Sequence, residues 1–428
     1  MERYNEYKDS GVQWLGEIPS HWECEKAKRH FQSRKQIVGR NSSQYERLAL
    51  TLKGVIKRFE GDGVGLNPEK LDTYQIVDKD DLIFKLIDLE NVSTSRVGLS
   101  PYKGIVSPAY IRISAVDEVN IRFAEYYYLN MWMRHIFNDL GTPGVRSNLS
   151  STDLLNLPLL YPSIVEQKAI ATYLDKATAK IDEAIAQQQK MVDLLNERKQ
   201  IIINNAVTKG LNPDAPMKDS GVDWIGEIPE HWEVMKTSHI FHHIGSGTTP
   251  KSGREDYYSQ DGIPFLQTGD LNDGFINETS KHITEKALRD TNLKLYPKGS
   301  LVVAMYGATI GKLGILNIDT TVNQACCVLP TSDRVGNKFA MYILSTAKAD
   351  LFLKSRGRGQ PNISQDTIRN EKIVVPPLAE QNEIVQYIEH SCTPIDGAIS
   401  NATNQISLLE ERKQIIINDV VTRKVKVS

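Results

Sequence analysis

The chain is written twice. Residues 8–23, KDSGVQWLGEIPSHWE, return at residues 218–233 as KDSGVDWIGEIPEHWE. Farther along, EQKAIATYLDKATAKIDEAI from Glu166 matches EQNEIVQYIEHSCTPIDGAI from Glu380, and NERKQIIINNAVT from Asn196 matches EERKQIIINDVVT from Glu410. A repeat found at this level fixes the architecture before any single motif does. It predicts two half-molecules, each ordered as opening motif, variable block and helical segment.

A chain of 428 residues exceeds what one core usually supports, which agrees with two or more domains. The variable blocks diverge over a shared skeleton. KDDLIFKLIDLENVSTSRVG from Lys79 stands opposite KGSLVVAMYGATIGKLG from Lys298, and RSNLS at Arg146 stands opposite QPNIS at Gln360. Short β-branched runs at 301–304, 326–329 and 104–113, broken by Gly, Pro, Asn and Asp, predict mixed β-rich domains with some helix.

The helical segments carry a heptad seam. In the second half it runs through Ile395, Ile399, Ala402, Ile406, Leu409, Ile416 and Val420, with Lys413 as its polar member. In the first half it runs through Ile181, Ile185, Gln188, Val192, Leu195, Lys199, Ile202 and Ala206. Each half is thus expected to form a helix of about 28 residues, roughly 42 Å long. Pro394 would sit in the first turn of the second helix behind a Thr393 or Cys392 cap, and Thr178 would cap the first. Two matching seams can bury each other, and an antiparallel pair with a globular block at each end is the simplest geometry. The alternative is that each helix packs only on its own domain. The expected division is 1–160, 161–210, 211–375 and 376–428.

The sequence carries no recognised catalytic signature. Asn67-Pro68 and Asn212-Pro213 lack the aromatic that a base-flipping aminomethyltransferase stacks on its target. The run Gly307–Leu313 is one residue short of a phosphate loop and lacks its Ser or Thr. The four cysteines form no CxxC pair, and His242-His243 belongs to no metal-ligand spacing. The polar start MERYNEYKDSG, with no long apolar run, predicts a cytoplasmic protein without a membrane partner.

Net charge is -2, but it is segregated. Residues 25–150 hold 19 basic and 15 acidic side chains, and residues 234–365 hold 15 and 11, so each block is mildly basic. Local field matters more than net charge to a phosphate partner. In the second block the candidate contacts are Thr248, Thr249 and Lys251, then Arg254, Lys312, Arg356, Arg358, Gln360 and Asn362. These are hydroxyls, cations and amides on Gly-rich loops, suited to phosphates and base edges. In the first block they are Arg34, Lys35, Arg40, Lys53, Lys57, Arg58, Arg96, Arg146 and Asn148, more scattered; the Lys53–Arg58 run fits a strand with a solvated face equally well.

Together and doubled, the SGVxWxGEIPxHWE motif, the EQxxI…YL…ID helix start, the ERKQxII core and the GxTP and NIS features resemble the specificity subunits of type I restriction-modification systems, over essentially the whole chain. The resemblance implies an α+β protein: two target-recognition domains in pseudo-twofold relation, joined by two long antiparallel helices. Each domain would read half of a split double-stranded DNA site. Two modification (methyltransferase) subunits using S-adenosylmethionine and restriction (endonuclease) subunits using ATP and magnesium would dock on the repeated segments and hold the catalytic residues, with no cofactor on this chain. The first block departs from the pattern in lacking a GxTP loop like that at 247–250. An enzyme, or a coiled-coil scaffold with no DNA role, is the competing reading.

Overall fold

The computed structural model describes residues 4–59, 70–90, 95–140, 148–251, 253–356, 361–422 and 426–427. The chain divides into two compact units, residues 1–189 with 404–428, and residues 190–403. This differs from a serial division at 160, 210 and 375: each unit takes half of each long helix.

In the first unit the opening motif folds as a small hairpin, Tyr7–Asp9 against Glu17–Pro19. Its turn is set by Asp9 Oδ1 accepting the amide of Gly11 at 3.0 Å, with Gly11 itself at φ +71°, a conformation that favours glycine. The copy in the second unit, Met217–Asp219 against Glu227–Pro229, has Asp219 and Gly221 in the same roles at 2.9 Å and φ +68°. The strand that follows the motif pairs with the strand that precedes the long helix. Glu23–Lys26 runs antiparallel to Pro158–Tyr161, and Glu233–Lys236 to Lys372–Val375. Each variable block is therefore a loop of chain closed at its base.

The first block holds two four-stranded sheets. One is ordered Phe31–Gln32, Ile111–Ala115, Leu82–Phe84, Val97–Leu99, and the other Gly54–Arg58, Arg47–Thr51, Gly104–Val106, Gln75–Val77. The apolar run at 104–113 is split between the two sheets, with Pro108 in the break. Helix Ile121–Met133 buries Phe123, Tyr127 and Tyr128 on the first sheet's side of the core. The second block has a five-stranded sheet, ordered Gly245–Ser246, Cys326–Leu329, Leu301–Ala304, Leu313–Leu316, Gly274–Ile276, and a four-stranded one. The runs at 301–304 and 326–329 are strands as expected, buried along their whole length.

The long helices span Ile164–Lys209 and Leu378–Val421. At 46 and 44 residues they are about 69 and 66 Å long, which corrects the expected 28-residue segments. Thr178, Cys392 and Thr393 are helix-interior, not caps, and Pro394 lies well past the first turn. Thr178 Oγ1 donates to the Leu174 carbonyl at 2.7 Å and Thr393 Oγ1 to that of Glu389 at 2.6 Å, so both hydroxyls are satisfied inside the helix. Pro394 is on the exposed side, where water can serve the carbonyl that its missing N–H leaves free.

Within each unit the two helices run antiparallel. In the first, Asp182 accepts from Lys413 at 2.7 and 2.8 Å, while Ile417, Val420 and Val421 enter the core that also holds Ile170 and Leu174. In the second, Lys199 donates to Asp396 at 2.6 Å, while Ile203, Ala206 and Val207 enter the core with Ile384 and Ile388. The lysine of each ERKQ segment thus meets the aspartate of the other repeat's ID pair. Along the seam, Ile181, Ile395 and Ala402 are buried, and Ile185, Val192, Leu195, Ile202, Ile399, Ile406, Leu409 and Ile416 are half-buried. Ile203 and Ile417, one residue beyond the seam positions Ile202 and Ile416, are also buried. The end of each repeat's helix therefore completes the core holding the other repeat's opening motif, and a helix confined to its own domain is excluded.

Candidate DNA interface

The repeated motifs build a frame. Glu166, in the first turn of its helix, accepts from His21 Nε2 at 2.9 Å and Trp22 Nε1 at 3.3 Å. Glu380 accepts from His231 Nε2 and Trp232 Nε1, both at 2.7 Å. The following glutamines brace the blocks: Gln167 accepts from the Asn120 amide at 2.8 Å and Gln381 from that of Gly336 at 2.9 Å. Trp22 and Trp232 are fully buried. This explains why HWE and EQ recur together: each glutamate satisfies an indole N–H that burial would otherwise leave unpaired.

The variable loops sit on this frame. In the second unit the Gly247–Lys251 loop presses on the strand Thr321–Val322. A Cβ on Gly247 would fall 1.5 Å from the Val322 carbonyl oxygen, so only glycine fits. Thr248 is half-buried, and Thr249 is exposed with its hydroxyl donating to Gln324. Lys251 is exposed. Arg254 is exposed but engaged: its guanidinium makes two 2.8 Å bonds to Asp256 and lies 4.5 Å over the Tyr257 ring. Those bonds hold the Asp256 carboxyl well below the usual range.

Ser246, at the start of this loop, lies 3.3 Å from Gln365, whose amide donates to the Ile244 carbonyl at 2.8 Å. That link brings the Gly247 loop beside the second candidate loop. There Arg356 and Asn362 exchange two backbone bonds of 2.9 Å, and both side chains are exposed. Arg358 and Gln360 lie outside the described residues. Lys354 is exposed but engaged, donating at 2.7 Å to Glu371, itself almost fully buried and also bonded by Trp224 Nε1 at 3.1 Å. Burial acts to lower the Lys354 pKa, but the Asp350 and Glu371 carboxylates outweigh it and hold the ammonium above its ordinary value. Lys312 is half-buried, and Gly311-Lys312 leads into the strand Leu313–Leu316, not the helix that a phosphate loop requires.

In the first unit Arg34, Lys35 and Arg40 are exposed, with Lys35 held to the Pro108 carbonyl at 2.9 Å. Lys53 is exposed at the tip of the hairpin made by Arg47–Thr51 and Gly54–Arg58. Lys57 pairs with Glu46 at 2.6 Å and lies 4.8 Å over Tyr102; Arg58 is half-buried. Asn148 is exposed, and Arg146 lies outside the described residues. Arg96 is a correction. It is 1% exposed, with its guanidinium donating to the carbonyls of Ile87 at 3.3 Å and Asp88 at 2.6 Å. A side chain spent on shaping its own loop is not available to DNA.

Sequence reasoning missed Tyr306, exposed beside Asn362, because Gly307–Leu313 was weighed only as a failed phosphate loop. Among the described residues, no group of three His, Cys, Asp or Glu is placed to hold a metal ion. Cys326, Cys327 and Cys392 are buried and unbridged, and burial pushes the Cys327 thiol up to about 12.

Comparison with known proteins bears on most of the chain. The profile of the type I restriction modification DNA specificity domain matches residues 30–192 and 229–405. The putative type I restriction enzyme MjaX specificity subunit of Methanocaldococcus jannaschii is 28% identical over 316 residues, 71% of this chain and 69% of that protein. The MjaVIII specificity subunit of the same organism is 26% identical over 379 residues, 86% of this chain and 84% of that one. In fold, the chain is similar to one from a structural study of complex assembly and conformational transition of the type I R-M system, with a TM-score of 0.65 at 15% identity, covering 94% of this chain and 98% of the other.

Proposed function

From the premise that this chain belongs to the type I restriction-modification DNA specificity family, with two target-recognition domains, we propose that each domain reads one half of a bipartite, asymmetric double-stranded DNA site. The chain is a specificity subunit and not itself an enzyme. The observation that carries the half-site reading is a frame built twice around unlike loops. Trp22, His21 and Glu166 repeat as Trp232, His231 and Glu380, while the loops they support share little sequence. A frame held constant under differing surfaces suits two readers of two different half-sites better than a plain scaffold.

In this reading, arginine and asparagine forks meet base edges, and exposed lysines such as Lys53 and Lys251 meet phosphates. The paired helices set the gap between half-sites. Two modification subunits dock on the repeated segments and supply methyl transfer from S-adenosylmethionine; restriction subunits supply ATP- and magnesium-dependent cleavage. No helix among the described residues is long and apolar enough to cross a membrane, and cytoplasmic DNA is the proposed partner.

The test is selection from a pool of randomised duplexes by the full-length chain assembled with its host's modification subunits. The expected result is two short defined blocks separated by a spacer of fixed length and free sequence. A single contiguous block contradicts two-domain reading, and no enrichment at all supports the scaffold.

A further inference from the structure

The two variable blocks share one local construction at the segments their sequences set opposite each other. In the first, Ile87 and Asn148 form an isolated antiparallel bridge, and the Leu149 amide donates to the Leu86 carbonyl at 3.0 Å. In the second, Tyr306 and Asn362 form the same bridge, and the Ile363 amide donates to the Met305 carbonyl at 2.9 Å. The residue after each bridge takes a left-handed conformation: Asp88 at φ +54° and Gly307 at φ +63°. Glycine takes this conformation freely, and aspartate is among the side-chain-bearing residues that tolerate it. Each asparagine leads into a short helix capped by the serine two residues on, Ser150 or Ser364.

Burial alternates identically. Leu86, Leu149, Met305 and Ile363 are all 7% exposed or less, whereas Ile87 is 37% and Tyr306 46% exposed, and Asn148 and Asn362 are exposed. Residues directly opposite in an antiparallel bridge project to the same face, with Cβ atoms about 5 Å apart. Ile87 therefore stands beside Asn148, and Tyr306 beside Asn362. In the second unit Arg356 bridges Asn362 from its other side, extending the row to Tyr306, Asn362, Arg356. None of these three side chains has a hydrogen-bond or ion-pair partner among the described residues.

We propose that positions 87 and 306 are the matched specificity-determining positions of the two heads, each reading a base next to the one read by the asparagine at its side. This rests on the half-site reading above. Asparagine pairs its amide with the N6 and N7 edge of adenine. Beside it, Ile87 offers only apolar contact, which suits the thymine methyl group, and Tyr306 offers a hydroxyl that can donate to or accept from a base edge. The frame is constant and the reader differs, so the heads select different bases with the same geometry.

The experiment is the same duplex selection, repeated with I87Y and Y306I in the full-length chain assembled with its modification subunits. Both side chains are solvent-exposed, and a matched thermal melt verifies that each variant is folded. For Y306I the expected result is a changed preference at one base of one block, the wild-type base losing roughly tenfold or more in enrichment, with the other block and the spacer unchanged. For I87Y the change falls at one base of the other block. Wild-type base preference in both blocks for both variants overturns the proposal while leaving the half-site reading intact, as does weaker binding without altered preference. A wild-type chain that selects no two-part site refutes the half-site reading itself.

Discussion

Truncating Ile417 to alanine should destabilise the head that lies farthest from it in sequence. Ile417 belongs to the second repeat, yet it is 0% exposed in the core that holds Leu15, Ile18 and Trp22. Removing a fully buried isoleucine down to alanine costs about 2–5 kcal/mol, through lost transfer energy and the cavity left behind. A mid-range loss of about 3 kcal/mol is roughly a 150-fold rise in opening of the affected unit. Hydrogen exchange read peptide by peptide resolves it: amides of Leu82–Phe84 and of residues 159–161 should exchange about 150-fold faster wherever they open with their unit, while Leu301–Ala304 holds. Ile203→Ala, with Ile203 6% exposed in the other core, should invert the pattern. Loss of protection at Leu301–Ala304 with Leu82–Phe84 unaffected in Ile417→Ala would refute the reciprocal completion of the two cores.

Four further outcomes follow from the geometry. Burial acts to raise the Glu166 pKa, but hydrogen bonds from His21, Ser163 and Trp22 outweigh it and hold the carboxyl below the ordinary 4.5; a depressed carboxyl stabilises above the unfolded-state value and loses that contribution as pH falls through the folded-state one, so acid melts below about pH 4.5 should show Glu166→Gln with a shallower pH dependence than wild type. Gly247→Ala places a methyl 1.5 Å from the Val322 carbonyl oxygen and should cost about 1–3 kcal/mol in denaturant melts of the second unit, with weakened binding to the half-site that unit reads. A double-mutant cycle on Lys199 and Asp396, with side chains 33% and 53% exposed, should give a coupling of only about 0.2–1 kcal/mol. Deleting one matched heptad from each long helix shortens it by about 10 Å and should reduce the selected spacer by roughly three base pairs at 3.4 Å each; an unchanged spacer rules out the helices as the ruler.

The duplication, the mixed β-rich heads and the helical seam were readable because they rest on periodicity and repetition, which survive without knowledge of tertiary contacts. The helix starts were misplaced because Thr178 and the Thr393-Pro394 pair carry cap-like chemistry wherever they sit. The true start of the first helix did carry a signal: Ser163 and Glu166 form a reciprocal capping box, each side chain accepting the other's backbone amide at 3.3 Å. Insertion of Ile203 and Ile417 into cores containing the other repeat's opening motif had no sequence signature, since the same apolar residues serve either packing partner. Arg96 misled for the opposite reason: a guanidinium can donate to backbone carbonyls as readily as to phosphate, and only burial separates the two. The alignment of Lys79 with Lys298 already sets Ile87 opposite Tyr306; what it left unreadable was that both are exposed and stand beside Asn148 and Asn362, because backbone bonds make that arrangement.

Mapping adenine methylation across the host genome with and without the gene asks whether this chain specifies a bipartite DNA target. Methylation of one interrupted, asymmetric motif should disappear when the gene is removed and return when it is restored. A host whose genome carries such methylation with the gene present and retains it unchanged after removal would contradict that role.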